Sequence, residues 1–215
     1  MSRVGLVCVW PVAMMAVAAC QTAAPPAAEA PRASVTVEEA EPWRRIASPR
    51  DSAALDSIAA AWDRGLAASR AAGLTRRIAA EGVLLQPGAG LRRAAPTPGT
   101  YRCRYVRLGL RRWTASAQAY CYVGVEAGQL SLATELRGLR LGGYLWELKS
   151  GERLVFLGAA APAGGKGAPA YGDNPAADSA GLVERIGDFR YRLVLPEPAP
   201  ATGLTIVDMV AAPRP

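Results

Sequence analysis

The hydrophobic period of this chain changes once, at Pro98-Gly99, and that change decides what it can fold into. Downstream, apolar residues alternate with polar ones. In "TYRCRYVRL", Tyr101, Cys103 and Tyr105 alternate with Arg102 and Arg104. "LSLATEL" sets Leu130, Leu132, Thr134 and Leu136 on one face, and "FRYRLVL" does the same with Phe189, Tyr191, Leu193 and Leu195. A period of two with one polar face is the mark of a half-buried antiparallel strand. Runs near 101–108, 118–126, 129–136, 143–149, 152–158, 181–187, 188–195 and 203–210 give about eight strands. Ala127-Gly128, Ser150-Gly151 and Gly187-Asp188 read as tight turns, the last as a glycine-first type II′. Eight meandering strands close into a small barrel or form a strongly bent sheet. One connection, Gly158 to Gly181, is long enough to need a purpose. It ends in "YGDNPAAD" and is placed to cover a barrel mouth.

Upstream the period is helical. Ser48 and Asp51 form a capping pair with Pro49 at the first helical position. Leu55, Ile58, Ala59, Trp62 and Leu66 follow on one face until Gly73. A shorter helix covers Thr75 to Glu81 and stops at Gly82. The predicted fold class is α+β: an N-terminal helical hairpin (43–95 mainly helical) packed on an antiparallel meander (99–212 mainly β), in a single domain over 43–215.

The first 19 residues carry Arg3, an apolar run and small residues, the layout of a secretory signal too short and too interrupted (Pro11) to span a membrane. Val17-Ala18-Ala19-Cys20 resembles the lipobox of bacterial lipoproteins, which implies acylation of Cys20. Two or more acyl chains make anchoring stable. Gln21, where an aspartate would favour the inner membrane, implies an outer-membrane lipoprotein facing the periplasm. Residues 20–42 are rich in alanine and proline and read as a tether. With Cys8 removed and Cys20 acylated, Cys103 and Cys121 remain, and two thiols in an exported chain pair as a disulfide.

Without the signal the chain has 24 basic and 18 acidic residues, because only Arg3 is lost from the 25 and 18, a net charge of +6. All basic residues but Lys149 and Lys166 are arginine. The pairs Arg44-Arg45, Arg76-Arg77, Arg92-Arg93 and Arg111-Arg112 are scattered in sequence, without the interleaved aromatics that nucleic-acid binding needs, so no nucleic-acid partner is expected. With no histidine, Ser-His-Asp and Cys-His catalysis and imidazole-bound metals are excluded. No cofactor is expected. Two carboxylates suffice for glycoside hydrolysis, and the pairs on offer are Asp173 with Asp178, Glu184 with Asp188, and Glu147 with Glu152. Asp173, Asn174 and Asp178 also offer oxygen ligands for calcium, without the spacing of a known loop.

"TPGTYRCRYVRLG", "YCYVG", "GERLVFLGA" and "YGDNPAADSAGLVERIGDFRYRLVLP", with "WRRIASPRDSAALDSIAAAW" upstream, resemble the bacterial family catalogued as domain of unknown function 4893. The resemblance runs over residues 43 to 212. It implies an exported envelope protein and brings no catalytic residues; Cys103, Cys121, Tyr171-Gly172-Asp173 and Arg190 match its signature. The function expected is a non-enzymatic, lipid-anchored module binding a small apolar or anionic ligand or an envelope protein. Tyr105, Tyr122, Tyr144, Trp146, Phe189 and Tyr191 would line or fill the interior. Arg102, Arg104, Arg190 and Arg192 would face outward to anions, and Tyr171, Asp173, Asn174 and Asp178 would form a binding turn. An inhibitor of an envelope enzyme and a carboxylate-based hydrolase are the alternatives.

Overall fold

Closure of the sheet on itself sets the architecture. The computed structural model describes residues 41–162, 165, 167–197 and 203–213. The signal segment, Cys20, the tether up to residue 40 and Lys166 lie outside them. β1 (Gly99–Leu108), β3 (Ala119–Glu126), β4 (Gln129–Leu136), β5 (Leu139–Glu147), β6 (Leu154–Ala160), β7 (Asp178–Gly187), β8 (Arg190–Pro196) and β9 (Leu204–Ala211) form an antiparallel meander. β9 returns to pair with β1, from Tyr101 opposite Ala211 to Leu108 opposite Leu204. The two-residue β2 (Thr114–Ala115) adds to β1 beside the eight-stranded barrel. Closure removes the free strand edges that an open sheet would expose.

Alternation along the strands sorts side chains into two cores. Tyr101, Cys103, Cys121, Leu132, Phe156, Leu193, Val207 and Met209 point inward and belong to one contiguous apolar cluster. Eight strands leave an interior just wide enough for side chains, and these occupy it. At Gly143 and Gly158, opposite each other on β5 and β6, a Cβ would run into the facing backbone. The Phe156 ring lies where the Gly158 side chain would be.

The second core lies outside the barrel. Val106, Val155, Leu157, Leu182, Val194 and Ile206 pack against Trp43, Leu55, Ile58, Trp62, Leu66 and Leu84 of the helical layer. Much of the wall from β6 to β9 is therefore buried on both sides, which explains its near-continuous apolar runs such as "LVFLG". The layer comprises α1 (Pro42–Ile46), α2 (Pro49–Asp56), α3 (Ile58–Ala71), α4 (Thr75–Ala80) and a 3₁₀ turn (Gly82–Leu85). Ser48 caps α2 as expected, its Oγ accepting the Asp51 N–H at 3.1 Å. Gly73, at φ +78°, ends α3: Leu74 N–H reaches Ser69 O, and Gly73 N–H reaches Arg70 O. That pair of bonds is a Schellman motif.

Four expectations need correction. The helix read as continuous from Ser48 to Gly73 breaks at Ser57, whose hydroxyl donates to Ala54 O and competes with the helical ladder. The β7–β8 turn is Asp188-Phe189, with Phe189 at φ +52°, and Gly187 pairs with Arg190 inside the ladder. A register shift between Arg185 and Gly187 accompanies it, so Phe189 is 65% exposed. Tyr122 and Tyr144 are exposed too. They follow the parity opposite to Cys121 and Leu145, which point inward. Finally, the described end of the long β6–β7 connection lies against the side of the barrel rather than over a mouth. Its described residues Ala168–Tyr171 border a cavity with Gly142 and Tyr144 on the outer face of β5. The segment after the helices covers one end of the barrel: Ala94 N–H bonds Gly151 O, Leu91 bridges Arg185, and Ala94 enters the interior cluster.

Candidate functional site

The start of α2 is built around a buried carboxylate. Asp51 accepts from its own cap, Ser48 Oγ, at 2.8 Å and from the Tyr171 hydroxyl at 2.5 Å. That hydroxyl in turn accepts the Ser48 N–H at 2.9 Å. In an ordinary capping box the third residue's side chain would take that N–H itself. Here the tyrosine, 120 residues away, is inserted between them and pins the β6–β7 connection to the helical layer. Gly172 N–H donates to Asp178 Oδ1, and Ala176 N–H to Asn174 Oδ1. "YGDNPAAD" is thus a turn whose side chains cap their own backbone.

Burial, followed by the bond to Asp51, raises the Tyr171 pKa above its ordinary value. Burial likewise raises Tyr101 and Tyr191. A tyrosine whose folded pKa lies above the unfolded one stabilises fully below the unfolded value, about 10, and loses that contribution as pH rises through the folded one. The protein is expected to lose thermal stability progressively above pH ~10. Tyr171→Phe should cost about 1–2 kcal/mol at neutral pH and make the alkaline loss shallower. A melting series on both proteins checks this, and parallel curves would contradict it.

Beside this junction a cavity of about 420 Å³ opens between α2, the start of α3, and the ends of β7 and β8. Ala53, Ala54, Ala61, Ala180, Leu195 and Pro196 form most of its apolar wall. Arg50, Arg64, Asp51, Asp178 and Glu197 supply charge. Arg50 is partly committed, with Nε 3.1 Å from Asp51 Oδ1. Exposed Arg64 makes no hydrogen bond or ion pair among the described residues. Asp51 and Asp178 are engaged as described above.

The sequence-predicted residues divide three ways. Tyr171 and Asp178 meet at the helix–barrel seam. Asp173 and Asn174 border a separate open cavity of about 780 Å³ within the β6–β7 connection. The four arginines do not form an anion-facing surface. Arg104 is clasped by Glu81 and lies 3.4 Å from Asp208, and Arg190 takes Asp208 bidentately at 2.9 and 3.0 Å; Arg102 is exposed. Arg192 points away from the lumen as expected, but that face of β8 lies under the helices, and the residue is 0% exposed. Its Nε donates to Glu184 Oε2 at 2.7 Å, and Nη1 donates to Leu84 O and Gln86 O at 2.9 and 2.8 Å. The guanidinium lies 4.9 Å from the Trp62 ring centre. Arg153 holds the other Glu184 oxygen at 2.9 Å. Asp188, by contrast, has a 98% exposed side chain, so it and buried Glu184 make no catalytic pair. Among the described residues no three acidic or cysteine side chains gather to hold a metal. No helix among them is long and apolar enough to cross a membrane. Cys103 and Cys121 are disulfide-bonded, their Cα atoms 5.9 Å apart.

Sequence reading missed that Arg50 and Arg64 line this cavity, because that depends on what α2 and α3 face. A small closed barrel with a helical layer over part of its wall, and a cavity at the seam, defines the class. The chain belongs to the family described as Domain of unknown function (DUF4893), whose profile matches residues 43–209. No curated protein matches it, and neither does any solved structure.

Proposed function

We propose that this is a non-enzymatic binding module, anchored at the bacterial outer membrane through acylated Cys20, that holds a small molecule with an apolar body and one acidic group in the seam cavity. The observation that carries the reading is the state of the charges there. The carboxylates of Asp51 and Asp178 are engaged by hydrogen bonds, while exposed Arg64 and half-buried Glu197 have no side-chain partner among the described residues, Arg64 being the more accessible of the two. An alanine-rich pocket of about 420 Å³ falls in the size range of small-ligand sites. A buried interior cluster makes the barrel lumen the less suitable container.

Two fluorescent probes of similar apolar body test it: anilinonaphthalene sulfonate, which is anionic, and phenylnaphthylamine, which is neutral. Arg64→Glu should weaken the anionic probe about tenfold and leave the neutral one unchanged. Ala54→Trp, which fills the pocket, should abolish both. Equal binding of both probes to all three proteins would sink the proposal.

A further inference from the structure

The arginine pairs at 76–77 and 111–112 lie far apart in sequence, on two segments hydrogen-bonded to one residue. Ser69 is the junction: its Oγ accepts the Gly109 N–H at 2.9 Å, and its carbonyl accepts the Leu74 N–H at 3.1 Å. Arg70 is one residue from that junction. Arg111 and Arg112 are two and three residues beyond Gly109, and Arg76 and Arg77 two and three beyond Leu74. At no more than ~3.6 Å per residue, each lies within about 11 Å of a residue bonded to Ser69. The clasp of Glu81 on Arg104 fixes the far end of α4 to β1.

All five arginines are exposed, and none forms a hydrogen bond or ion pair through its side chain among the described residues. Elsewhere Arg44, Arg104, Arg140, Arg153, Arg190 and Arg192 each hold a carboxylate. The two segments that build this corner contain no aspartate or glutamate from Arg64 to Ala80, nor from Tyr105 to Gln118. Half-buried Leu74 and Leu110 lie next to the arginines in sequence, and half-buried Trp113 packs against the second core.

We infer that this corner is a docking face for an anionic phospholipid bilayer. The arginines project from a helix end, a short helix and a loop rather than around a pocket, which suits an extended array of phosphates better than one small anion. Each basic residue close to an anionic surface strengthens binding about fivefold. The face is separate from the seam cavity, so its test is independent of the proposed ligand.

Full-length protein is sedimented with phosphatidylcholine vesicles, with and without phosphatidylglycerol. Any contribution of the apolar N-terminal segment is common to all variants and cancels. Arg76→Glu/Arg77→Glu and Arg111→Glu/Arg112→Glu should each lower partition into the anionic vesicles at least tenfold, with melting unchanged. Arg92→Glu/Arg93→Glu, the same change in net charge elsewhere, should lower it less than twofold. Equal loss in all three would mean bulk charge and overturn the assignment. So would unchanged binding in the first two, or a wild-type protein that prefers a single-stranded oligonucleotide to vesicles.

Discussion

Arg192→Met is expected to destabilise the protein by about 3–5 kcal/mol, a large share of the ~5–15 kcal/mol that a folded domain has. The side chain joins β8 to the 3₁₀ turn through Leu84 O and Gln86 O, and neutralises Glu184. Its removal leaves Glu184, 4% exposed, with Arg153 alone and strips those carbonyls of a buried donor. Arg192→Lys keeps the charge but cannot reach both the carboxylate and the carbonyls with one planar fork, so it should lose more than half as much. Arg192→Met/Glu184→Leu should recover part of the loss, because an apolar pair costs little where a broken ion pair costs much. Urea unfolding of the four proteins decides it. A single Arg192→Met variant within 1 kcal/mol of wild type would show that the clamp is idle.

Reduction of Cys103–Cys121 should cost about 3 kcal/mol, since the bond closes a loop with a sequence separation of 18. For a domain of this size that is a fall in melting temperature of about 6–12 °C. The cysteines face the lumen from β1 and β3, diagonal to one another: Tyr101 is opposite Cys121, and Cys103 is opposite Ala119. Both are 0% exposed, so the reduced thiols stay buried and the fold itself should survive. Melting with and without reductant, alongside Cys103→Ala/Cys121→Ala, separates loss of the crosslink from loss of packed sulfur. Coincident curves for the oxidised and reduced protein would refute the estimate.

These two sites show how much the sequence made legible. Alternation placed Cys103 inward and Arg192 outward, and both directions hold. It could not show that outward from β8 means under α3 and the 3₁₀ turn, because that depends on helices more than 100 residues away. A hint was present: Arg192 is followed by "LVL", in which Val194 shares its face and is apolar. Phe189 departs from the alternation because the period of two runs one residue into the turn at Asp188-Phe189. The arginine pairs read as scattered because the Ser69–Gly109 bond that links the segments of two of them spans 40 positions of sequence. Tyr171 stands out in its turn, but from sequence its partner Asp51 shows only as half of a helix cap. Local chemistry was legible in each case, and long-range partners were not.

The pairing of β1 with β9 has a consequence for the order of events during folding. Neighbouring hairpins can zip as soon as their residues are available, but Arg104 must wait for Asp208, 104 positions further along the chain. Such non-local pairing belongs to chains that fold in milliseconds to seconds rather than microseconds. Until residues 204–211 arrive, β1 and β8 each present an unpaired edge, a template for another chain. The last strand made is therefore the one that turns an adhesive sheet into a self-contained ring.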